Sequence, residues 1–481
     1  MNSRKKILFV AGNVEHLYQF VIHGFFKELS ETSSIYLTMP EGELSDLRWV
    51  EMSAHLDGVF TEVLPYKYSA KARKVGYQLG AALTFRYRKF SSGYRGRISN
   101  SLLGGLDIPF RLKSFEALLA VSKSSKEVLK NVSHELPAMV RGTRPIFWIW
   151  SKIRVRQVIL GCSLSDVLKS VSPDVSVTIM QRQAGFVIAA LESGEKHQIP
   201  TLLIPYKWDN ASSKSPLIRT PTKMLVYNSA IKEVCTRLHK MSTGAVEAVG
   251  SVEIGKGLSG KQFNDQQVVL LIGATADATE SEKWLLCLAD LFDSEICSNL
   301  QKELRLVWRP YPTRDDSNFT FMKSFVSRHP IFELDNDIAT GSSHRSGTVS
   351  FSEVRFAYQR YISMFEKSSV VVSEGTSAIV DARSRGLPVI YPAFRANALI
   401  GSQWFHLNRS EHLKALRNTQ GVFIAEDEEE LKRLVVDFLE NPRRIPPDNS
   451  GANIFVDERT YAQRVLDVID DAIAEKSKQR D

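Results

Sequence analysis

Apolar and polar positions alternate in two patterns along the chain. Short runs rich in Val, Ile and Leu predict strands buried on both faces, and longer segments with apolar residues every three or four positions predict amphipathic helices. Such alternation is typical of α/β proteins whose parallel sheets carry helices on both sides. The predicted strands lie at 6–10, 35–38, 174–179, 200–205, 224–227, 246–249, 268–272, 304–308, 370–372, 388–391 and 421–425.

The pattern divides the chain into two α/β domains. Residues 250–267 are rich in Gly and polar side chains, which is typical of a linker. A chain of 481 residues can form several domains at roughly 150 residues each. We expect a first domain at 1–250 with a helical insertion at about 66–170, a linker at 251–266, a second domain at 267–450 and a C-terminal helix at 451–481.

Residues 367–392 contain the clearest candidate binding element. The apolar run 370–372 leads into a polar turn, a short helix follows, and Gly386 ends that helix before a second apolar run. A crossover of this length is right-handed, so the strands should be parallel and the turn should lie at the carboxyl edge, where open α/β sheets bind ligands. Gly375 would let a ligand approach the backbone, and free amides at 376–378 would favour an anion, most simply a diphosphate. The alternative is a capped helix start that binds nothing.

Asp381 lies one turn into this helix, where its carboxylate can accept hydrogen bonds from a ribose diol. The whole pattern, Ser-Glu-Gly-Thr-Ser-x-x-x-Asp-Ala-x-x-x-Gly-x-Pro-Val-Ile, resembles the nucleotide-sugar signature of the two-domain GT-B glycosyltransferases. Most of those families have Glu where this chain has Asp381. The resemblance implies that Asp381 binds the ribose and that the phosphates are bound by the turn Ser373, Glu374, Gly375, Thr376 and Ser377.

Two other predicted strand ends in the second domain add candidates for the nucleotide-sugar site. Arg309-Pro310-Tyr311-Pro312 resembles the Arg/His-Pro-x-Pro found at the same place in several GT-B families. A guanidinium can bind a diphosphate through two hydrogen bonds and neutralise a leaving nucleotide. The alternative is an ion pair with a neighbouring carboxylate such as Asp315. Gly273 begins the turn after the strand at 268–272 and is assigned to the same site.

The first domain begins like a Rossmann unit but lacks Gly-x-Gly-x-x-Gly, so no dinucleotide cofactor is indicated. His16 lies at the start of the helix after the first strand, where some GT-B enzymes carry a general base. An imidazole that titrates near neutral pH can take a proton from a sugar hydroxyl. The alternative is an ordinary histidine at a helix start.

The loop 206–214 follows a buried strand and is dense in hydrogen-bonding groups. Its Trp-Asp-Asn-x-Ser-Ser-Lys resembles a pattern of bacterial polysaccharide-assembly glycosyltransferases. We assign Asp209 as an alternative base and Lys207, Asn210 and Lys214 as contacts for the acceptor or a phosphate. A surface loop capped by its Asp is the competing interpretation.

The net charge of +8 is unevenly distributed, because residues 64–105 contain no acidic side chain. Lys and Arg alternate there with Tyr and Phe, from Lys67 to Arg97. This segment 67–97 could be a solvated insertion, but the absence of acids favours an anionic acceptor or a membrane headgroup surface. No nucleic-acid reading motif accompanies the charge.

The cellular setting is predicted from what the sequence contains. The four cysteines have no Cys-x-x-Cys spacing, so structural thiols in a reducing cytoplasm are expected rather than disulfides. The apolar run near the start is too short for a signal-peptide core, and no run reaches the ~18 apolar residues of a membrane span. We expect a cytoplasmic protein, with the inner membrane face as an open alternative.

These features together predict a GT-B glycosyltransferase with two Rossmann-like domains and a cleft between them. The resemblance implies a donor nucleotide sugar on the second domain, a glycan or lipid-linked acceptor on the first, and a last helix that crosses back to the first. Positive dipoles and basic side chains can stabilise a diphosphate leaving group, and no His/Asp cluster of metal spacing is found, so neither a metal nor another cofactor is expected. A nucleotide-sugar epimerase, a CDP-polyol phosphotransferase and a non-enzymatic binding module remain alternatives. The sugar, the base, the acceptor and the stereochemical outcome stay open.

Overall fold

The structure is a computed structural model. It describes residues 4–76, 79, 144–180, 185–213, 217–253, 267–273, 281–293, 304–310, 316–335, 350–395, 403–454 and 457–478. The chain divides into two compact units. Unit 1 comprises Met1–Glu253, Arg409–His412 and Asp457–Asp481, and unit 2 comprises Ile254–Asn408 and Leu413–Val456.

Unit 1 is built on a seven-stranded sheet in the order β3-β2-β1-β4-β5-β6-β7. All of its strand pairs are parallel. The central strands are buried along nearly their whole length, as expected for a sheet covered on both faces. The strands are β1 (Lys5–Val10), β2 (Ser33–Pro40), β3 (Glu62–Tyr66), β4 (Val175–Met180), β5 (Thr201–Pro205), β6 (Lys223–Val226) and β7 (Val246–Ala248).

The helices of unit 1 connect these strands, and 3₁₀ turns occur at Val14–Leu17 and Thr243–Ala245. Asn13 and Asn228 each cap a helical start by accepting a hydrogen bond from a backbone amide three residues later. The helices are α1 (Tyr18–Ile22), α2 (Phe25–Ser30), α3 (Glu41–Leu44), α4 (Leu47–Ala54), α5 (Arg144–Leu160), α6 (Leu164–Val171), α7 (Gly185–Lys196), α8 (Asn210–Ser213) and α9 (Ser229–His239).

Unit 2 is built on a six-stranded parallel sheet in the order β10-β9-β8-β11-β12-β13. Its strands are β8 (Gln267–Ile272), β9 (Leu304–Arg309), β10 (Phe332–Leu334), β11 (Val370–Ser373), β12 (Val389–Pro392) and β13 (Val422–Ala425). Its helices are α10 (Glu282–Asp293), α11 (Asp316–Arg328), α12 (Phe351–Lys367), α13 (Ala378–Ser384), α14 (Gln403–Arg409), α15 (Glu411–Lys414) and α16 (Glu428–Glu440). The end of α14 and the start of α15 belong to the segment Arg409–His412, which is part of unit 1.

The last helix, α17 (Tyr461–Lys478), belongs to unit 1. The ring centroid of Tyr461 lies 5.4 Å from that of Phe25 on α2. Arg464 donates from Nε to the carbonyl of Val249 at 2.6 Å, and Lys223 Nζ is paired with Glu475 at 2.6 Å. The helix therefore completes the core of a unit whose sheet lies more than two hundred residues earlier in the chain.

The predicted fold class is confirmed, since both sheets are parallel and Rossmann-like and fit the GT-B class. The sequence patterns missed two strands, β3 and β10, which lie at the sheet edges. Strand β3 contains a proline and is only partly buried, so it lacks the continuous apolar run of a central strand. Most of the basic segment 67–97 lies outside the described residues. In its described part, Lys67, Lys71, Arg73 and Lys74 are exposed.

Gly386 ends helix α13 as predicted, with a φ of 71°. Beside it lies the most deeply buried cation of the described chain, Arg383, whose side chain is 1% exposed. Its guanidinium donates to three backbone carbonyls, those of Leu387, Gln420 and Ile445, at 2.5, 2.8 and 2.8 Å. Burial lowers the pKa of Arg383 to about 10, so the group stays charged at neutral pH. It joins three chain segments around the start of β12 and β13.

We expect Arg383→Met to lower the free energy of unfolding by about 3 kcal/mol or more, because three buried carbonyls lose their donor. Urea unfolding of the full chain measures this. Arg443→Met is the matched control, since Arg443 is a half-exposed partner of Asp437 and should cost about 1 kcal/mol or less. Equal midpoints for the two variants would contradict the anchoring role.

Candidate functional site

Both sheets have the Rossmann strand order, and each has one topological switch point. In unit 2 the chain leaves β8 toward β9 and β10 and then returns to the other side of β8 as β11. In unit 1 the same reversal occurs between β1 and β4. The crevice outside the carboxyl ends of the two strands at such a point is where doubly wound sheets bind ligands. The predicted site residues of both units follow strands at or next to these points.

Backbone hydrogen bonds align the carboxyl ends of β9, β8 and β11. The Gly273 amide donates to the carbonyl of Arg309 at 3.1 Å, and the Glu374 amide donates to that of Ile272 at 3.2 Å. Because adjacent strands are about 4.8 Å apart, the backbones of Arg309 and Glu374 lie about 10 Å apart. The edge therefore brings Arg309, Gly273 and the turn 373–377 together. The Gly273 amide itself is used in this alignment.

Two residues of the predicted phosphate turn have their side chains directed into unit 2. Ser373 is fully buried and donates its hydroxyl to the Glu374 carbonyl at 2.9 Å. Glu374 is also fully buried, and its Oε1 accepts hydrogen bonds from Ser281 Oγ and Trp284 Nε1, each at 2.9 Å. A buried carboxylate requires such donors. These contacts give Ser373 and Glu374 a structural part in holding the turn.

Gly375 is closely packed in unit 2. A β-carbon added there would lie 2.8 Å from Leu413 Cδ1, closer than real β-carbons come to neighbouring atoms. The Gly375 amide donates to Gln403 Oε1 at 3.4 Å. The prediction was that a ligand would approach the backbone at Gly375 closely. In the structure the side chain of Leu413, in the same unit, makes that close approach.

Three amides at 376–378 were expected to be free, but hydrogen bonds within the turn occupy two of them, so this part of the prediction is wrong. The Thr376 amide donates to the Glu374 carbonyl at 2.7 Å, and the Ala378 amide donates to Thr376 Oγ1 at 3.0 Å. Ser377 is half-buried and makes no side-chain cap. Among the described residues, the turn's groups still able to donate are the Ser377 amide and the hydroxyls of Thr376 and Ser377.

Arg309 ends β9 and forms an ion pair with Asp335, which follows β10. Both side chains are largely buried, at 16% and 8% exposed. The alternative partner named from the sequence, Asp315, lies outside the described residues. The Arg309 guanidinium also lies over the ring of Tyr361, 5.1 Å from its centroid, which is within the range of a cation–π interaction. Arg309 is thus held in place from two sides.

The same tyrosine contacts Asp381, the residue predicted to bind the ribose. Tyr361 donates its hydroxyl to Asp381 Oδ2 at 2.8 Å, and Asp381 is 7% exposed. Arg309 and Asp381, predicted independently, are therefore joined through one side chain on α12. The sequence interpretation missed this helix, although Ser350 and Glu353 form a capping box at its start, a signal that Ser-x-x-Glu provides in sequence.

His16 lies at the switch point of unit 1 and is 4% exposed. The Gly12 amide donates to its Nδ1 at 3.3 Å, so the neutral ring carries its proton on Nε2. The rings of Phe186 and Tyr206 lie 5.9 Å away between centroids. In this tautomer Nε2 carries the proton, whereas a general base would need a lone pair there.

The loop after β5 has mostly internal contacts. Lys207 forms an ion pair with Glu253, which is 6% exposed. Asn210 is 2% exposed and donates to the carbonyl of Met180, the last residue of β4, at 3.3 Å. Asp209 is half-buried, and its carbonyl accepts from the amide of Ser212 at 2.9 Å. Lys214 lies outside the described residues.

His239 forms one hydrogen bond to the backbone within this loop and another to the backbone just after it. Its Nδ1 accepts from the Leu217 amide at 3.1 Å, and its Nε2 donates to the Ala211 carbonyl at 2.7 Å. Burial lowers the pKa of His239 to about 4. The neutral imidazole is therefore part of the folded state of the loop that carries Asp209.

The described residues contain no group of three or more His, Cys, Asp or Glu side chains arranged to hold a metal ion. None of their helices combines the length and the hydropathy of a membrane span. Cys162, Cys235 and Cys287 are free and buried.

The fold and these edges define a doubly wound α/β protein with two Rossmann-like units. No protein-family model matches the chain, and no curated protein matches it. The chain is similar to the UDP-GlcNAc 2-epimerase of Methanocaldococcus jannaschii, with 10% identity over 96% of this chain and 99% of that one and a TM-score of 0.47.

Two further solved structures show a similar likeness. Glycyrrhiza uralensis UGT73P12, complexed with glycyrrhetinic acid 3-O-monoglucuronide, has 9% identity over 99% of this chain and 97% of its own, with a TM-score of 0.47. Medicago truncatula UGT71G1, complexed with UDP-glucose, has 10% identity over 98% and 99%, with a TM-score of 0.45. At such low identities we base the proposed function on the residues of this chain alone.

We expect the stability of unit 1 to fall as pH drops from about 6.5 toward 4. The folded state holds His239 neutral, so below the unfolded-state pKa the unfolded chain binds one more proton, at up to about 1.4 kcal/mol per pH unit. Urea unfolding at pH 7 and pH 5 measures the loss. His239→Gln does not titrate, so its stability relative to wild type should improve by about 2 kcal/mol at pH 5. An unchanged difference between the two proteins would contradict this assignment.

Proposed function

We propose that this protein is a glycosyltransferase that moves a sugar from a nucleotide-activated donor to a glycan or lipid-linked acceptor. The observation that carries the proposal is the row Asp335, Arg309, Tyr361 and Asp381 at the carboxyl edge of the unit 2 sheet. A fixed cation beside a fixed carboxylate suits the two polar parts of a nucleoside diphosphate. The cation binds phosphate, and the carboxylate accepts from ribose hydroxyls.

In this proposal Arg309 carries most of the phosphate binding. The amides at the start of α13 are largely used within the turn, so the remaining neutral donors are those of Thr376 and Ser377. A guanidinium already held by Asp335 and Tyr361 loses little conformational freedom when a diphosphate binds. As the bond between the anomeric carbon and the phosphate oxygen breaks, charge develops on the diphosphate, and Arg309 stabilises it.

The acceptor side is assigned to unit 1. With Nε2 of His16 protonated, Asp209 is the candidate that takes the proton of the attacking hydroxyl if the reaction inverts. The exposed cations at 67–74 support an anionic acceptor or a membrane headgroup surface as the neighbouring partner.

We expect Arg309→Gln to weaken binding of UDP, GDP or CDP, whichever the wild-type protein prefers, by about tenfold or more. Gln keeps a hydrogen-bond donor for Asp335 but loses the charge and the paired N–H groups. Isothermal titration calorimetry measures the affinity. Arg305→Gln is the matched control, because Arg305 pairs with Glu333 on the same two strands. An affinity unchanged by Arg309→Gln would remove Arg309 from the site.

The released product distinguishes the proposed reaction from its alternatives. Glycosyl transfer should release a nucleoside diphosphate from UDP-, GDP- or CDP-sugars only when an acceptor extract of bacterial membranes or glycans is present. An epimerase changes the donor sugar without any acceptor, as NMR of the donor alone would show. A CDP-polyol phosphotransferase breaks the diphosphate and releases CMP. Either of those two products would replace the transferase proposal.

A further inference from the structure

We propose that Tyr361 is a positioning residue of the nucleotide site, which orients Asp381 toward the ribose and supports Arg309 beneath the diphosphate. This inference rests on the proposed function, because it names a role in the same site. The sequence motifs of that site do not include Tyr361. The geometry points to it because one side chain contacts both of the site's charged groups.

Helices α12 and α13 are joined by two contacts spaced one helical turn apart. Tyr361 donates to Asp381 Oδ2 at 2.8 Å. Four residues later along each segment, the guanidinium of Arg385, the residue that follows α13, lies 5.7 Å from the ring centroid of Phe365. Both contacts are made by α12 to this one segment. The hydrogen bond from Tyr361 restricts the direction of the Asp381 carboxylate.

The hydroxyl and the ring of Tyr361 have different roles in the proposed site. Its hydroxyl binds one carboxylate oxygen of Asp381, and this bond limits the ways in which the carboxylate can face a ribose. Its ring lies 5.1 Å from Arg309 Cζ and supports the guanidinium by a cation–π contact. Phe retains the ring and loses the hydroxyl, whereas Leu loses both. Substitution can therefore separate the ribose effect from the phosphate effect.

The test compares three kinds of probe by isothermal titration calorimetry on the full chain. UDP, GDP and CDP report on the whole nucleotide, their 2′-deoxy counterparts lack one ribose hydroxyl, and inorganic pyrophosphate reports on the phosphate part alone. For wild type we expect the preferred ribonucleotide to bind about tenfold more tightly than its 2′-deoxy counterpart.

Tyr361→Phe should reduce this preference to about twofold and leave pyrophosphate affinity unchanged within about twofold. Tyr361→Leu should in addition weaken pyrophosphate binding by about threefold or more, since the ring beneath Arg309 is lost. If Tyr361 acts through Asp381, then adding Tyr361→Phe to Asp381→Asn should cause no further loss of preference. Circular dichroism and melting temperature check that each variant is folded.

Tyr358→Phe is the matched control, because it makes the same change one turn earlier on the same helix and should keep the wild-type preference. A Tyr361→Phe protein that retains the full preference for the ribonucleotide would overturn the positioning role while leaving nucleotide binding intact. If wild type binds none of the nucleotides, both this role and the proposed function fail. The two failures are thus distinguishable.

Discussion

The handedness of the crossover between parallel strands decides where chemistry can occur in this molecule. In both units the described strands pair with parallel neighbours, so all of them end at one edge of their sheet. Because connections of this kind turn the same way, the helices change face where the strand order reverses, which in each described sheet is beside its first strand. At that reversal the connecting helices diverge and leave the strand ends uncovered. Residues that are distant in sequence, such as Arg309 and Asp381, meet there because of topology.

The unit 2 edge also shows how a binding turn is held. Most of its polar groups are satisfied by the unit itself, with Glu374 bound by a serine and a tryptophan and the Gly375 amide bound by Gln403. A turn whose groups were all free would lose conformational entropy when a ligand ordered it. Here the unit has already ordered the turn, and few donors remain for a ligand. The charged groups nearby would then provide most of the binding energy.

How much of this structure could be predicted from the sequence depends on whether the physical signal lies within a short stretch of the chain. The central strands were predictable because a strand buried on both faces needs a continuous apolar run, and the end of α13 was predictable because Gly386 adopts a positive φ. The edge strands β3 and β10 were missed because partial burial weakens the pattern. The candidate residues lie after strand ends, as predicted, since the end of an apolar run can be recognised in the sequence.

Side-chain partners were not predictable in the same way. That Arg309 pairs with Asp335 depends on the register between β9 and β10, and that Tyr361 reaches Asp381 depends on how α12 packs. The tautomer of His16 follows from a single backbone amide at Gly12. Such contacts are long-range or depend on small rotations, and no local pattern encodes them. For this reason the sequence assigned Ser373 and Glu374 to phosphate binding, whereas their contacts in the structure give them a part in holding the turn.

The place of α17 has a consequence for biosynthesis. Phe25 and Lys223 obtain their partners Tyr461 and Glu475 only when the ribosome has translated nearly the whole chain. The residues of unit 2 are translated between the body of unit 1 and α17, so the face of unit 1 that binds α17 stays open to water for on the order of ten seconds or more at ordinary elongation rates. The amino-terminal unit thus completes its core last, and the nascent chain has a window in which chaperones can bind that face.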